Sequence, residues 1–189
     1  PFSDHGVFNL TDGPRAGHDD IWHLLKQNGK RVMNCGSMNA KRFEGDGNIF
    51  ISDPWCSDQD AWPQELNSFQ NFVAQNVQEH SQVNGKAGKE SALSFLRFMA
   101  GHGLSMRTAT DLTKQILSEK TKDKRLSYKR VAQLDQLQYD VFRHYYRKNK
   151  PAFATYFSNS VAHLQHSFWR HMDPDAFTVR PAHNEMDLY

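Results

Sequence analysis

Residues Ala154 to Pro174 read Ala-Thr-Tyr-Phe-Ser-Asn-Ser-Val-Ala-His-Leu-Gln-His-Ser-Phe-Trp-Arg-His-Met-Asp-Pro. The apolar and aromatic run Phe153 to Ser158 has strand character, and the polar and aromatic residues after it continue as a helix. A strand feeding a helix is half of an α/β unit, so this stretch sets the expected fold class as α/β. Residues between the two elements lie at the carboxyl end of the strand, where such sheets hold ligands and metals. On a helix, residues three or four apart share a face. His163 and His166 therefore point the same way, with Asn159 one turn before His163. Imidazole is a frequent ligand for borderline metals such as Zn²⁺. Gln165 and Arg170 lie close enough in sequence to orient a ligand or touch a substrate. The plainer reading makes both histidines structural, with satisfied ring nitrogens. No carboxylate occurs from Phe157 to Met172, so a metal held here needs ligands from elsewhere.

Working outward, the chain breaks into segments of different character. Residues 1 to 17 read as loop. A short helix is expected from His18 to Gly29, with Asp19 and Asp20 at its positive end and Ile21, Leu24 and Leu25 on one face. A strand follows within Lys30 to Met38, and another at Asn48 to Ser52. The second strand runs into Asp53-Pro54-Trp55-Cys56. Asp53, just past a strand end, is a candidate substrate or second-layer group, although Asp-Pro is ordinary turn chemistry. From Pro63 the pattern turns helical. Leu66, Phe69, Phe72, Val73 and Val77 mark one helix; Ala92, Leu93, Phe95, Leu96 and Met99 mark a second, ending near Gly101-His102-Gly103. Ser105 is the expected N-cap of a third helix with Leu112, Ile116 and Leu117. Val131, Leu134, Leu137, Val141 and Tyr145 form the stripe of a long helix, Tyr128 to Asn149, stopped by Lys150-Pro151. The tail from Asp175 to Tyr189 is polar.

The bulk numbers agree with a chain that folds. It has 189 residues, 38% hydrophobic and 23% charged, enough to bury a core. Its formal net charge of +2 is too small to argue for nucleic acid. The basic run Lys114 to Arg130 reads as a solvated helix junction; with Tyr128 its only aromatic, it lacks stacking platforms, and no nucleic-acid partner is expected. Cys35 and Cys56 make no disulfide framework and no CxxC pair, and two free thiols are the simpler expectation. No apolar run approaches the ~20 residues that span a bilayer, so no membrane partner is expected. The compartment is not legible. The chain opens Pro-Phe-Ser-Asp-His-Gly, without an initiator Met, and is expected to be a processed product or a piece.

Phe157-Ser158-Asn159-Ser160-Val161-Ala162-His163-Leu164-Gln165-His166-Ser167-Phe168-Trp169-Arg170 resembles a segment of the alkaline phosphatase superfamily, in its type I phosphodiesterase/nucleotide pyrophosphatase branch. Many members of that branch carry Asp-Arg-x-Gln-His-x-Phe-Trp-Arg after a strand, often followed by Asp-Pro. This chain matches Gln165, His166, Phe168, Trp169, Arg170, Asp173 and Pro174. The helix, glycine and strand of Trp22 to Cys35 and the Ser52-Asp53-Pro54-Trp55 stretch also resemble the middle of that fold. The resemblance covers most of the chain, but only the His166 motif is specific. It implies a two-metal phosphohydrolase with Zn²⁺ or Mn²⁺ and a phosphate-ester substrate. In one register His166 is the ligand and Ala162 stands where relatives carry an Asp. In the other, Asn159 pairs with His163 as a neutral stand-in for that acid. No nucleophile segment precedes Asp19, and no Asp-His pair follows Asp173; His183 is the nearest group, in a poor context.

The expected architecture is one incomplete domain over 1–189: a partial alkaline-phosphatase-like α/β/α core with few strands, helix-rich overall. Residues 1–62 would be core, 63–150 a large helical insertion, 151–174 the core strand and metal-site helix, and 175–189 a polar tail. The expected function is a piece of a phosphodiesterase-like hydrolase, with metal ligands His166, His163 and Asn159, supporting groups Gln165, Arg170 and Asp53, and no catalytic nucleophile of its own. The alternative is a helical interaction or oligomerisation module with structural histidines and no catalysis, whose expected partner is a second copy of the chain in a homo-oligomer.

Overall fold

Asp20 opens the first regular element. The computed structural model describes residues 17–55, 60–79, 89–121 and 129–181, apart from the side chains of 77–79, 89–94, 119–121 and 167. Expectations placed on Cys56, on the side chains of Val77, Ala92 and Leu93, on most of the 122–128 basic stretch and on His183 lie outside these residues. Asp20 is the N-cap of α1 (Ile21–Gln27), its carboxylate accepting from His23 N at 3.0 Å. Gly29 takes a φ of +69° just past the helix end, the left-handed position that a C-terminal glycine serves. The buried face differs from the one expected. Ile21 and Leu24 are both 46% exposed, while Trp22 and Leu25 pack on the core. The strand that follows, from Val32 to Cys35, offers its bulk to those two positions, so tertiary packing rather than spacing alone selects the face.

The chain then forms β1 (Val32–Cys35), β2 (Ile49–Ile51) and, much later, β3 (Phe153–Tyr156). They make a three-stranded parallel sheet in the order β2-β1-β3. Met33 lies opposite Ile49 on one side and Ala154 on the other. All four residues of β1 are buried, as a central parallel strand requires. Val32, Ala40, Phe43 and Phe50 form one apolar cluster, closed by Trp22, Leu25, Trp62 and Phe153. Burying side chains of this size contributes about 1.5–3 kcal/mol each.

Five longer helices make the chain helix-rich: α2 (Asn67–Glu79), α3 (Lys89–Gly101), α4 (Met106–Thr121), α5 (Arg130–Asn149) and α6 (Asn159–Met172). A 3-10 turn, Gln64–Leu66, precedes α2. The aromatic spacing of α2 and α3 is core spacing: Phe72 stacks on Phe95 with ring centres 3.7 Å apart, and Phe69 lies 6.1 Å from both Phe95 and Phe98. Ser105 caps α4 as expected, its hydroxyl accepting from Thr108 N at 3.1 Å. Ile116 and Leu117 are more than half exposed on α4, as is Leu96 on α3. The architecture is thus mixed α/β.

The described chain divides into two compact units, Pro1–Gly103 with Asp140–Phe157, and Leu104–Tyr139 with Ser158–Tyr189. The sheet and helices α1 to α3 belong to the first. Helix α4 and helix α6 belong to the second. Helix α5 contributes its first half to the second unit and its last half to the first.

One polar side chain interrupts the apolar centre of the sheet. Asn34 is fully buried; its amide donates to Ile51 O at 2.9 Å, and its carbonyl accepts from Ser37 N at 3.3 Å and Thr155 Oγ1 at 3.2 Å. Leucine at this position keeps the volume but strands these partners. Asn34→Leu should lower unfolding free energy by about 2–3 kcal/mol in urea titration, whereas Ser37→Ala, on the periphery of the same network, should cost less.

Candidate functional site

Helix α6 begins three residues after β3 ends. Its candidate residues fall at spacings of four, three and four: Asn159, His163, His166 and Arg170. These spacings put all four on a single stripe. Asn159 and His163 are half-buried, His166 is exposed and Arg170 is half-buried. The Arg170 Nε is itself buried, with no hydrogen-bond partner among the described residues. Gln165 is exposed and lies two positions from His163, hence on the other side of the helix. The stripe therefore gathers Asn159, His163, His166 and Arg170 and leaves Gln165 out.

Asp53 belongs to the first unit. It is 4% exposed. Its two carboxylate oxygens accept from Asn39 N at 3.2 Å and from Trp55 N at 3.0 Å. The Trp55 contact closes an Asx turn beyond β2, and the Asn39 contact ties down a residue held at a φ of +60°. The observed work of Asp53 is that of turn chemistry.

The residue that the sequence did not point to is Asp135. It lies on α5, within the second unit, and its carboxylate gathers the amino end of α6. Oδ1 accepts from Asn159 N at 3.3 Å; Oδ2 accepts from Ser160 N at 3.0 Å and from Ser160 Oγ at 2.5 Å; and the Ser158 hydroxyl also donates to Oδ2. Ser158 is the N-cap by position, but its side chain makes no cap bond of its own. The carboxylate from the neighbouring helix fills that role. The physical demand was visible, since a helix amino end leaves unpaired N–H groups and favours a negative charge. The first turn of α6 carries no acid. Which distant acid answers the demand depends on how α5 packs, and no local pattern encodes that.

As a metal centre the stripe provides two imidazoles and one amide oxygen. Two histidines on one helical face fit part of a zinc or manganese ligand set, and an amide is a weak, neutral third donor. Among the described residues no group of three or more His, Cys, Asp or Glu is placed to hold a metal ion. The stripe fits a contributor to a site, with the remaining ligands supplied from outside it. Arg170 adds an always-charged group suited to a phosphate oxygen.

Compared with known proteins, the chain matches no family model, no curated protein and no solved structure.

The Asp135 cluster generates a direct expectation. Asp135→Ala removes the cap of α6 and should cost about 1–2 kcal/mol. Faster amide exchange should appear first at Asn159 and Ser160. Equal exchange in the substituted and original chains would show that the carboxylate does not hold the helix.

Proposed function

We propose that the chain is part of a metal-dependent phosphoric ester hydrolase of the alkaline phosphatase superfamily, phosphodiesterase-like. The single observation that carries this reading is the stripe Asn159, His163, His166 and Arg170 on α6, the helix that follows a strand of a parallel sheet. The motif resemblance from Gln165 to Pro174 supports it. On this reading the three strands are part of an α/β/α core, and the helices between β2 and β3 are an insertion into it. His163 and His166 hold a divalent metal, Zn²⁺ or Mn²⁺, with Asn159 as a neutral neighbour. Such a metal polarises a phosphoryl oxygen and activates a nucleophile. Arg170 binds a phosphate oxygen of the substrate. Gln165, on the opposite side of the helix, has no part in the site, and Asp53 shapes the loop after β2.

Zinc titration of the purified chain tests this reading. Binding should be measurable by calorimetry and should weaken roughly 10-fold or more in both His163→Ala and His166→Ala. The larger loss identifies the primary ligand and so decides between the two motif registers. A chromogenic phosphodiester should turn over poorly with this chain, whose stripe holds no nucleophile. Zinc binding that is unchanged in both variants would remove the reading.

A second reading has its own observation. The face of α6 opposite the stripe exposes Val161 at 57% and Met172 at 72%, with Trp169 on its flank at 51%. Apolar groups of this size, exposed together on one helix, suit a helical interaction or self-association module. Sedimentation that reports a dimer indifferent to chelator would favour this reading over the hydrolase.

A further inference from the structure

We propose that Glu65, His102, His144 and Tyr145 form an acid-sensitive clasp that holds the end of α3 against α5, and that a proton gained by His144 loosens it. All four belong to the first unit.

The clasp is built on a close approach. Gly103 follows α3 at a φ of +100°, and a Cβ added there would lie 2.6 Å from His144 Cβ and 2.9 Å from Asp140 O. Only glycine lets the turn sit this near α5. The approach brings His102 onto the side of α5. Its ring lies 5.9 Å from that of His144 and stacks 6.0 Å from that of Tyr145. His144 in turn meets Tyr145 edge-on at 5.1 Å.

Glu65, from the 3-10 turn before α2, ties the pieces together. The Tyr145 hydroxyl donates to Glu65 Oε1 at 2.5 Å, and His102 Nε2 lies 3.8 Å from the same oxygen. The other nitrogen of His102, Nδ1, donates to Phe98 O at 2.6 Å. A proton on His102 therefore faces a carboxylate. A proton on His144 faces His102 and Lys148, with only Glu65 in opposition. Lys148 Nζ stands 5.6 Å from the centre of the Tyr145 ring. The other nearby acid on α5, Asp140, is turned to Arg143 at 3.5 Å. The two histidines thus differ in their surroundings: one has a countercharge in place and the other has cations.

Burial, then His102 and Lys148, hold the His144 pKa below its ordinary value of 6.5, against the opposing pull of Glu65. The folded chain therefore binds this proton more weakly than the unfolded chain does. The stabilising contribution is complete above about pH 6.5 and is lost as pH falls from there through the lowered folded value.

Melting of the full chain between pH 7.5 and 5 tests the clasp. The melting temperature should fall on acidification. In His144→Gln the fall should be smaller, and in Glu65→Gln it should steepen. If His144→Gln fails to fold, Lys148→Gln serves instead. It removes an exposed cation and should also reduce the acid loss. Hydrogen exchange, corrected for intrinsic rates, should show the loosening at 98–103 and 140–148 before β1. A fall of unchanged size in both His144→Gln and Lys148→Gln, or loosening that begins in the sheet, would overturn the proposal.

Discussion

The buried amide of Asn34 is the contact on which the sheet depends. β1 is the central strand, and its neighbours come from different parts of the chain, β2 from just downstream and β3 from beyond four helices. Backbone pairing aligns the strands out to their carboxyl ends, where Gly36 N donates to Ile51 O and Phe157 N to Cys35 O, each at 3.0 Å. Asn34 closes that end on both sides, donating to Ile51 O on β2 and accepting from Thr155 Oγ1 on β3. Ser37 completes the link by donating to Thr155 Oγ1 at 2.8 Å. A polar group this deeply buried is tolerable because its amide and its carbonyl oxygen both find partners. The same network also fixes register, since a slip of one residue would turn Asn34 toward wrong partners.

A related logic governs the other strand ends. Asn48 Oδ1 accepts from Val32 N at 2.9 Å, and Gln70 Oε1 accepts from Ser52 N at 2.9 Å. Short strands expose much of their backbone at the ends relative to their length. Three- and four-residue strands such as these are therefore sustained by side-chain amides from outside the ladder as well as by apolar packing.

The element order was legible in the sequence because each element carries its own signal. The helix, glycine and strand of α1 and β1 could be read from Asp20, Gly29 and the apolar run after Arg31. The long helix could be read from Val131, Leu137, Val141 and Tyr145, all of which are buried. The choice of buried face was less legible. Periodicity allows Ile21 and Leu24 to bury as readily as Trp22 and Leu25, and only the position of β1 separates them. Ile116 and Leu117 follow helical spacing yet stay exposed, because a stripe becomes core only if another element arrives to cover it. The site divides the same way. The α6 stripe follows from spacing within one helix. Asp135 does not, since 24 positions in sequence and a helix packing separate it from Asn159.

The carboxylates explain why counting acids is a poor guide to a metal centre in this chain. Asp20 accepts from His23 N and from Lys41 N at 3.1 Å, Asp53 from Asn39 N and Trp55 N, and Asp135 from Asn159 N and Ser160 N. Each of the three is engaged with backbone amides at a helix start or a turn. A carboxylate bound this way already has lone pairs pointed at N–H groups. Recruiting one to a metal would free those amides and cost the local fold about 1–3 kcal/mol for each buried donor left unpaired.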